Sequence, residues 1–309
     1  MLREDRYRKR LGLGQDGNNL VMLIAILAIV FCIFQFIWLV YNLSDKDLQG
    51  FYNNILNWFT LPAGFQKMAT RPWTLVTHMF VHMDVWRMLG NLLWLGAFGF
   101  IFQELAGNKK LIPLFIYGGL AGGLLYMICY NTIPMLVPTV PSSALMGASS
   151  GVMAVVVAST VLAPDYRIFP MINGGFPLWV LTVVYLIIDL AQLAGAKNSG
   201  GEYLAHLAGT GIGFMYIYHL RRNRDLGAWM NNLFEWLGNL FNPDKQNWKK
   251  TARTDLHYKT RGTQPYKKIP NITQKRIDEI LDKINQQGYR FLTEEEKDIL
   301  KRAAEDEEL

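Results

Sequence analysis

Six apolar runs constrain this chain more than any other feature. Leu20 to Tyr41 contains no charged residue, and about 20 residues of this kind cross a bilayer as a helix. Trp86–Leu105, Leu111–Tyr130, Met146–Ala163, Phe176–Ala194 and Tyr203–Leu220 repeat the pattern, with polar residues inside the runs at 86–105 and 176–194. In hydrocarbon each backbone group has to be satisfied within its own segment, so such runs fold as helices. The expected fold class is an all-α polytopic membrane protein. Arg3, Arg6, Arg8, Lys9 and Arg10 precede the first run. That run is longer than the ~7–15-residue core of a cleaved signal and lacks an A-x-A-like site, so it reads as a retained span.

Charge sets the expected orientation. Six spans return the carboxyl terminus to the side of the basic amino terminus, which is expected to be cytoplasmic. The loops on that side carry Lys109 and Lys110, then Arg167, then Arg221, Arg222 and Arg224. On the opposite side, 131–145 carries no charge and 195–202 only Lys197 and Glu202. The long 44–85 segment also falls there, with Trp58, Phe59 and Trp73 suited to the membrane interface. The expected location is the cell's inner (plasma) membrane, multi-pass, with both termini cytoplasmic. The net charge of +6 comes from these edge clusters, so the bilayer is an expected partner and nucleic acid is not. Cys32 and Cys129 fall inside predicted spans and act there as small apolar residues, with no disulfide expected.

After Leu220 the character changes. Four segments follow from the pattern: a basic terminus at 1–17, the membrane domain at 18–221, an amphipathic and linker segment at 222–271, and a helical hairpin at 272–309. In the last, Ile277, Ile280, Leu281 and Ile284 share a face, Gly288 ends the run, and Thr293 with Glu296 forms a capping box. This appendage is too small for a large core and is expected to be a docking or regulatory unit, with a partner whose identity is unknown, and not a catalytic one.

Polar residues inside spans are costly and point to function by default. Asn91, Ser149 and His206 fall at one predicted depth. Gly147 with Gly151, and Ala205 with Gly209 and Gly213, make small-x-x-x-small faces that let helices approach closely. Ser149 and His206 lie beside those faces, within reach of one hydrogen bond. Each also has an ordinary reading, as a packing serine and as a histidine bonded across helices for stability. His78 and His82 together with His206 raise the thought of zinc. His78 and His82 precede the span, the helix at 203 lacks a second ligand and no H-E-x-x-H arrangement occurs, so no metal and no cofactor is expected. His82 is instead expected to order the loop, and Asp189 to be paired near a helix end with no assigned role.

Trp73, Phe80-Val81-His82, Asn91-Leu92-Leu93-Trp94, Gly147-Ala148-Ser149 and Ala205-His206-Leu207-Ala208-Gly209 occur in this order within about residues 18–221. On these motifs the chain resembles the rhomboid family of intramembrane serine proteases. The resemblance implies a six-helix rhomboid-like bundle, with the small C-terminal hairpin outside it. It implies Ser149 as nucleophile and His206 as general base in a dyad, with no aspartate completing a triad and packing orienting the imidazole. The side chain of Asn91 and backbone N–H groups around Ser149 would meet the oxyanion. The site would open to the extracytoplasmic side. Single-pass membrane proteins would be the substrates, cut near the top of their transmembrane helix at small residues.

Two departures matter. The family reads G-x-S-G, and this chain offers Gly147-Ala148-Ser149-Ser150 or Ala148-Ser149-Ser150-Gly151. The first frame keeps Ala154 in register and is preferred, leaving Ser150 as the alternative nucleophile. In that frame Met153 stands where an aromatic often packs on the histidine. The second departure is Arg87, four residues before Asn91, where the family commonly has histidine. Its five donors suit oxyanion stabilisation; pairing with Asp84 or a lipid phosphate would close the site instead, and a snorkelling interfacial cation is the plainest account. Arg87 therefore keeps open a catalytically silent rhomboid-like protein that binds membrane helices. A transporter is disfavoured, because no inverted repeat of broken helices and no paired intramembrane charges along a path occur.

Overall fold

The computed structural model describes residues 17–44, 48–168, 174–195, 201–240 and 274–306. The basic cluster at Arg3–Arg10, Lys197 and most of the 222–271 linker lie outside the described residues. Contacts divide the chain into two units, Met1–Gly238 and Asn239–Leu309.

In the first unit, helices form at each of the six apolar runs. They are α1 (Asn19–Leu43), α5 (Val85–Ala106), α6 (Leu111–Thr132), α7 (Ser149–Leu162), α8 (Leu178–Gly195) and α9 (Gly201–Leu220). Asn18 caps α1 by accepting from the N–H groups of Leu20 and Val21. Asp84 caps α5 by accepting from the Arg87 N–H at 2.7 Å. The helices at 19–43, 85–106 and 108–132 are long and apolar enough to cross a membrane by length and composition. Ser149–Leu162 is a shorter apolar helix.

Between α1 and α5 the chain forms α2 (Leu48–Asn54), β1 (Leu61–Pro62), α3 (Phe65–Ala69) and α4 (Thr74–Thr77). β1 pairs antiparallel with β2 (Ala144–Leu145), Leu61 opposite Leu145 and Pro62 opposite Ala144. A second short ribbon, β3 (Arg167–Ile168) with β4 (Phe176–Pro177), leads into α8. The expected interfacial aromatics form a knot: Trp58 and Trp73 stack at 6.0 Å, and the Trp73 indole N–H donates to the Trp58 carbonyl at 2.8 Å.

The start of the fourth span needs correction. Met146 and Gly147 are not helical, because β2 ends at Leu145 and Gly147 turns at φ +119°. That backbone conformation is strained for any residue with a Cβ. Gly147 therefore forms no helix face with Gly151, and Gly151 packs on Phe115 of α6 instead.

α7 is the centre of the unit, packed by α5, α6, α8 and α9. Its residues from Ser150 to Ser159 are all buried. Two glycines let the neighbours in: a Cβ added at Gly122 of α6 or at Gly209 of α9 would collide with Ser150. Lipid tails offer no hydrophobic drive between helices, so packing and interhelical hydrogen bonds hold the bundle. Ser159 Oγ donates to the Phe98 carbonyl of α5 at 3.0 Å, and Thr160 and Thr182 link α7 to α8 at 2.6 Å.

The aromatic amphipathic stretch forms α10 (Ala228–Leu240). It is tied to the bundle by Lys109–Glu235 at 2.8 Å and by the Trp229 indole N–H donating to the Tyr117 hydroxyl. Trp229, Phe234 and Trp236 stay exposed. In the second unit α11 (Gln274–Gln287) and α12 (Glu294–Asp306) form the hairpin. The capping box is present: the Thr293 N–H donates to Glu296 Oε2 at 2.8 Å and the Glu296 N–H to Thr293 Oγ1 at 3.3 Å. Ile280, Leu292 and Ile299 make its small core.

Gly209→Ala is expected to push α9 off α7. Overpacking costs about 1–3 kcal/mol, which at this domain size lowers Tm by roughly 2–4 °C per kcal/mol. Gly211→Ala, where an added Cβ meets open space, is expected to leave Tm unchanged. Thermal unfolding in detergent compares the two.

Candidate active site

The chain approaching α7 is held by the segment before α5. The Gly147 N–H donates to the His78 carbonyl at 2.8 Å. The Ala148 N–H donates to His82 Nε2 at 3.1 Å, and the Asn91 amide N–H donates to the same nitrogen at 2.9 Å. A backbone N–H has to donate, so Nε2 accepts and the His82 ring proton sits on Nδ1. That atom is buried and makes no well-aligned hydrogen bond among the described residues, although the Phe80 backbone lies near enough to favour its protonated form. His78 likewise faces the Thr74 carbonyl through Nδ1 at 2.8 Å. Burial pushes both imidazoles down to about 4, so both are neutral near pH 7. His82 thus orders the loop and also orients Asn91.

Ser149 is the first residue of α7, and His206 lies in the second turn of α9. His206 Nε2 is 2.6 Å from Ser149 Oγ. Ser150 points elsewhere: one residue further round a helix with 3.6 residues per turn, it is buried and donates to the Ala205 carbonyl at 2.6 Å. Its hydroxyl is a packing bond between α7 and α9, so of the two candidate nucleophiles it is Ser149, the preferred one, whose hydroxyl faces the histidine, and not the alternative Ser150. Ser149, His206, Asn91, Trp94 and Tyr203 line one cavity of about 310 Å³. The N–H groups of Ser149 and Ser150 lie in the first turn of α7, where no preceding helical carbonyl takes them.

The expectation that no aspartate reaches the histidine is also corrected. Asp189 Oδ1 of α8 is 2.5 Å from His206 Nδ1, with side chains only 8% and 12% exposed. An ionisable residue in a span was the available signal. The missing step was that the short α8–α9 connection makes these helices antiparallel neighbours. The aromatic contact on the histidine is Tyr203, edge-on at 5.9 Å and from the same helix. Met153 is fully buried in the core.

Arg87 lines the same cavity. Its guanidinium donates to Glu202 at 2.8 Å, joining the first turns of α5 and α9. The expected alternative partner, Asp84, takes the Arg87 backbone N–H instead. The structure thus brings Ser149, His206 and Asn91 together and commits Arg87 to an acid that spacing did not single out. Tyr185, one turn before Asp189, stacks on Trp94 at 4.5 Å and links α8 to α5.

Neutral His82 gives a pH dependence with a defined sign. The unfolded chain takes up this proton near 6.5 and the folded protein near 4, so the unfolded state binds more protons between those values. The stability contributed by the neutral ring is complete above about 6.5 and lost as pH falls toward 4. Tm of the detergent-solubilised protein is expected to fall across that window, with a shallower slope in His82→Gln.

A sequence profile of the rhomboid domain matches residues 69–223. A profile of a family of unknown function (DUF6576) matches residues 265–306. The chain is 24% identical over 153 residues to Rhomboid protein 1, mitochondrial, of Saccharomyces cerevisiae, covering 48% of this chain and 42% of that protein. It is 24% identical over 160 residues to RHOMBOID-like protein 12, mitochondrial, of Arabidopsis thaliana, covering 49% and 47%. The match spans less than half the length of both relatives.

Proposed function

The chain belongs to the rhomboid family, and from that premise we propose that it is an intramembrane serine endopeptidase. The observation that carries the reading is the Ser149 Oγ–His206 Nε2 hydrogen bond of 2.6 Å inside a cavity. Ser149 attacks the scissile carbonyl while His206 takes its proton. His206 then returns that proton to the leaving amine as the C–N bond breaks, and water completes hydrolysis of the acyl-enzyme by the same route. The amide of Asn91 and the free N–H groups of the α7 first turn stabilise the oxyanion; one such donor is typically worth roughly 2.7–4 kcal/mol. Substrates are transmembrane segments of single-pass membrane proteins.

We place both termini on the cytoplasmic side of the inner (plasma) membrane, with the site opening to the other face. Lys109, Lys110, Arg221, Arg222 and Arg224 gather at the opposite helix ends from Ser149, which supports this orientation. The two relatives bear mitochondrial names, so the compartment is part of the proposal.

A fluorophosphonate probe on the purified full chain tests the reading. Labelling is expected in the wild type and in Ser150→Ala, and to vanish in Ser149→Ala. A wild type that neither labels nor cleaves a model transmembrane substrate overturns it. The second reading, a silent protein that binds membrane helices, then takes over. It is favoured by one observation, the Arg87–Glu202 pair at the cavity, which occupies a guanidinium otherwise suited to the oxyanion. Arg87→His is expected to preserve or raise cleavage; complete loss would make the arginine essential to this site.

A further inference from the structure

Resting on the protease reading, we infer that Asp189 is a positioning residue that holds His206 as a base for Ser149, so that this chain uses an aspartate–histidine–serine relay. The three groups come from α8, α9 and α7, and the two bonds leave opposite sides of one imidazole: 2.5 Å from Nδ1 to Asp189 and 2.6 Å from Nε2 to Ser149. Nδ1–H donated to a carboxylate leaves the Nε2 lone pair directed at the serine hydroxyl. No other tautomer of a neutral ring satisfies both partners.

A purely structural role accounts less well for this choice of residue. Removing a carboxylate from water is costly even after relaxation, and a neutral hydrogen bond between α8 and α9 would hold the helices at lower cost. A carboxylate gains value when the ring becomes charged. As the Ser149 Oγ–carbonyl carbon bond forms, the serine proton moves to Nε2, and the imidazolium then faces the Asp189 anion. The carboxylate stays ionised throughout; the proton leaves Nε2 to the amine nitrogen as the peptide C–N bond breaks.

The rest of the cavity leaves this task to Asp189. Arg87 and Glu202 neutralise each other, and His82 is committed to Ala148 and Asn91. Asp189 is itself positioned. Tyr185 lies one helical turn before it and stacks on Trp94 at 4.5 Å with the rings 6° apart, which fixes the rotation of α8. Thr182 anchors the preceding turn to Thr160 of α7.

Asp189→Asn and Asp189→Glu in the full-length protein test the inference by fluorophosphonate labelling and by cleavage of a model transmembrane substrate. For Asp189→Asn, kcat is expected to fall by roughly 10²- to 10⁴-fold, the range of a general base with its orienting carboxylate removed. KM and Tm are expected to hold, and Asp189→Glu to recover part of the loss. Nitrogen-15 histidine NMR of the wild type is expected to show His206 protonated at Nδ1 with a strongly deshielded proton, a signal missing from Asp189→Asn. Wild-type turnover in Asp189→Asn overturns the inference. If that variant fails to fold, the wild-type spectrum decides, and an unprotonated Nδ1 overturns it. A wild type that never labels or cleaves overturns the protease reading instead, while the spectrum still tests the aspartate–histidine bond.

Discussion

A backbone N–H without a partner is expensive inside a bilayer, and α7 begins with a set of them. Much of the structure around the site answers that cost. β2 pairs with β1, Gly147 donates to the His78 carbonyl, and Ala148 donates to His82. Each of these bonds uses the segment between α1 and α5, so that segment is a structural part of the site. What it leaves without a hydrogen-bond partner at the helix start, among the described residues, are the N–H groups of Ser149, Ser150 and Gly151, next to the serine hydroxyl. The same accounting explains the neutral histidines. A protonated His82 has no lone pair at Nε2 for Ala148, and burial disfavours that charged state.

Helix contact supplies the second requirement. α6 and α9 close on α7 through Gly122 and Gly209, which leave room for nothing larger beside Ser150. That approach brings His206 to Ser149. It also separates two adjacent serines into different duties, because neighbouring residues on a helix point about 100° apart. One hydroxyl ties helices together and the other faces the cavity.

The fold was largely legible in sequence, since long apolar runs admit few solutions in lipid. Ser149, His206 and Asn91 were legible for the same reason, as polar groups at one depth in apolar surroundings. Three features were not. The turn at Gly147 replaces the expected first helical turn, because a φ preference is hidden among many glycines of similar context. Asp189 was visible as an anomaly, but its partner depends on which helices lie side by side and how α8 is turned. The Trp94–Tyr185 stack sets that turn, and no periodicity announces it. Arg87 drew notice through its own charge, whereas Glu202 falls in a segment the sequence reads as a loop, and only the folded chain places it in the first turn of α9 beside Arg87.

The unequal helix lengths have a consequence for the surrounding lipid. α1 has 25 residues and α8 has 18, which at 1.5 Å per residue give about 37 Å and about 27 Å. The hydrocarbon core is about 30 Å thick. Both helices expose large apolar side chains, Ile29 and Phe36 on one and Ile187 and Leu190 on the other, so lipid meets a taller apolar wall on one than on the other. Hydrophobic mismatch of this kind is relieved by tilt of the longer helix and by thinning of the bilayer beside the shorter one. The thinned patch borders the helix that carries Asp189, so bilayer thickness acts first on the element that places this carboxylate beside His206.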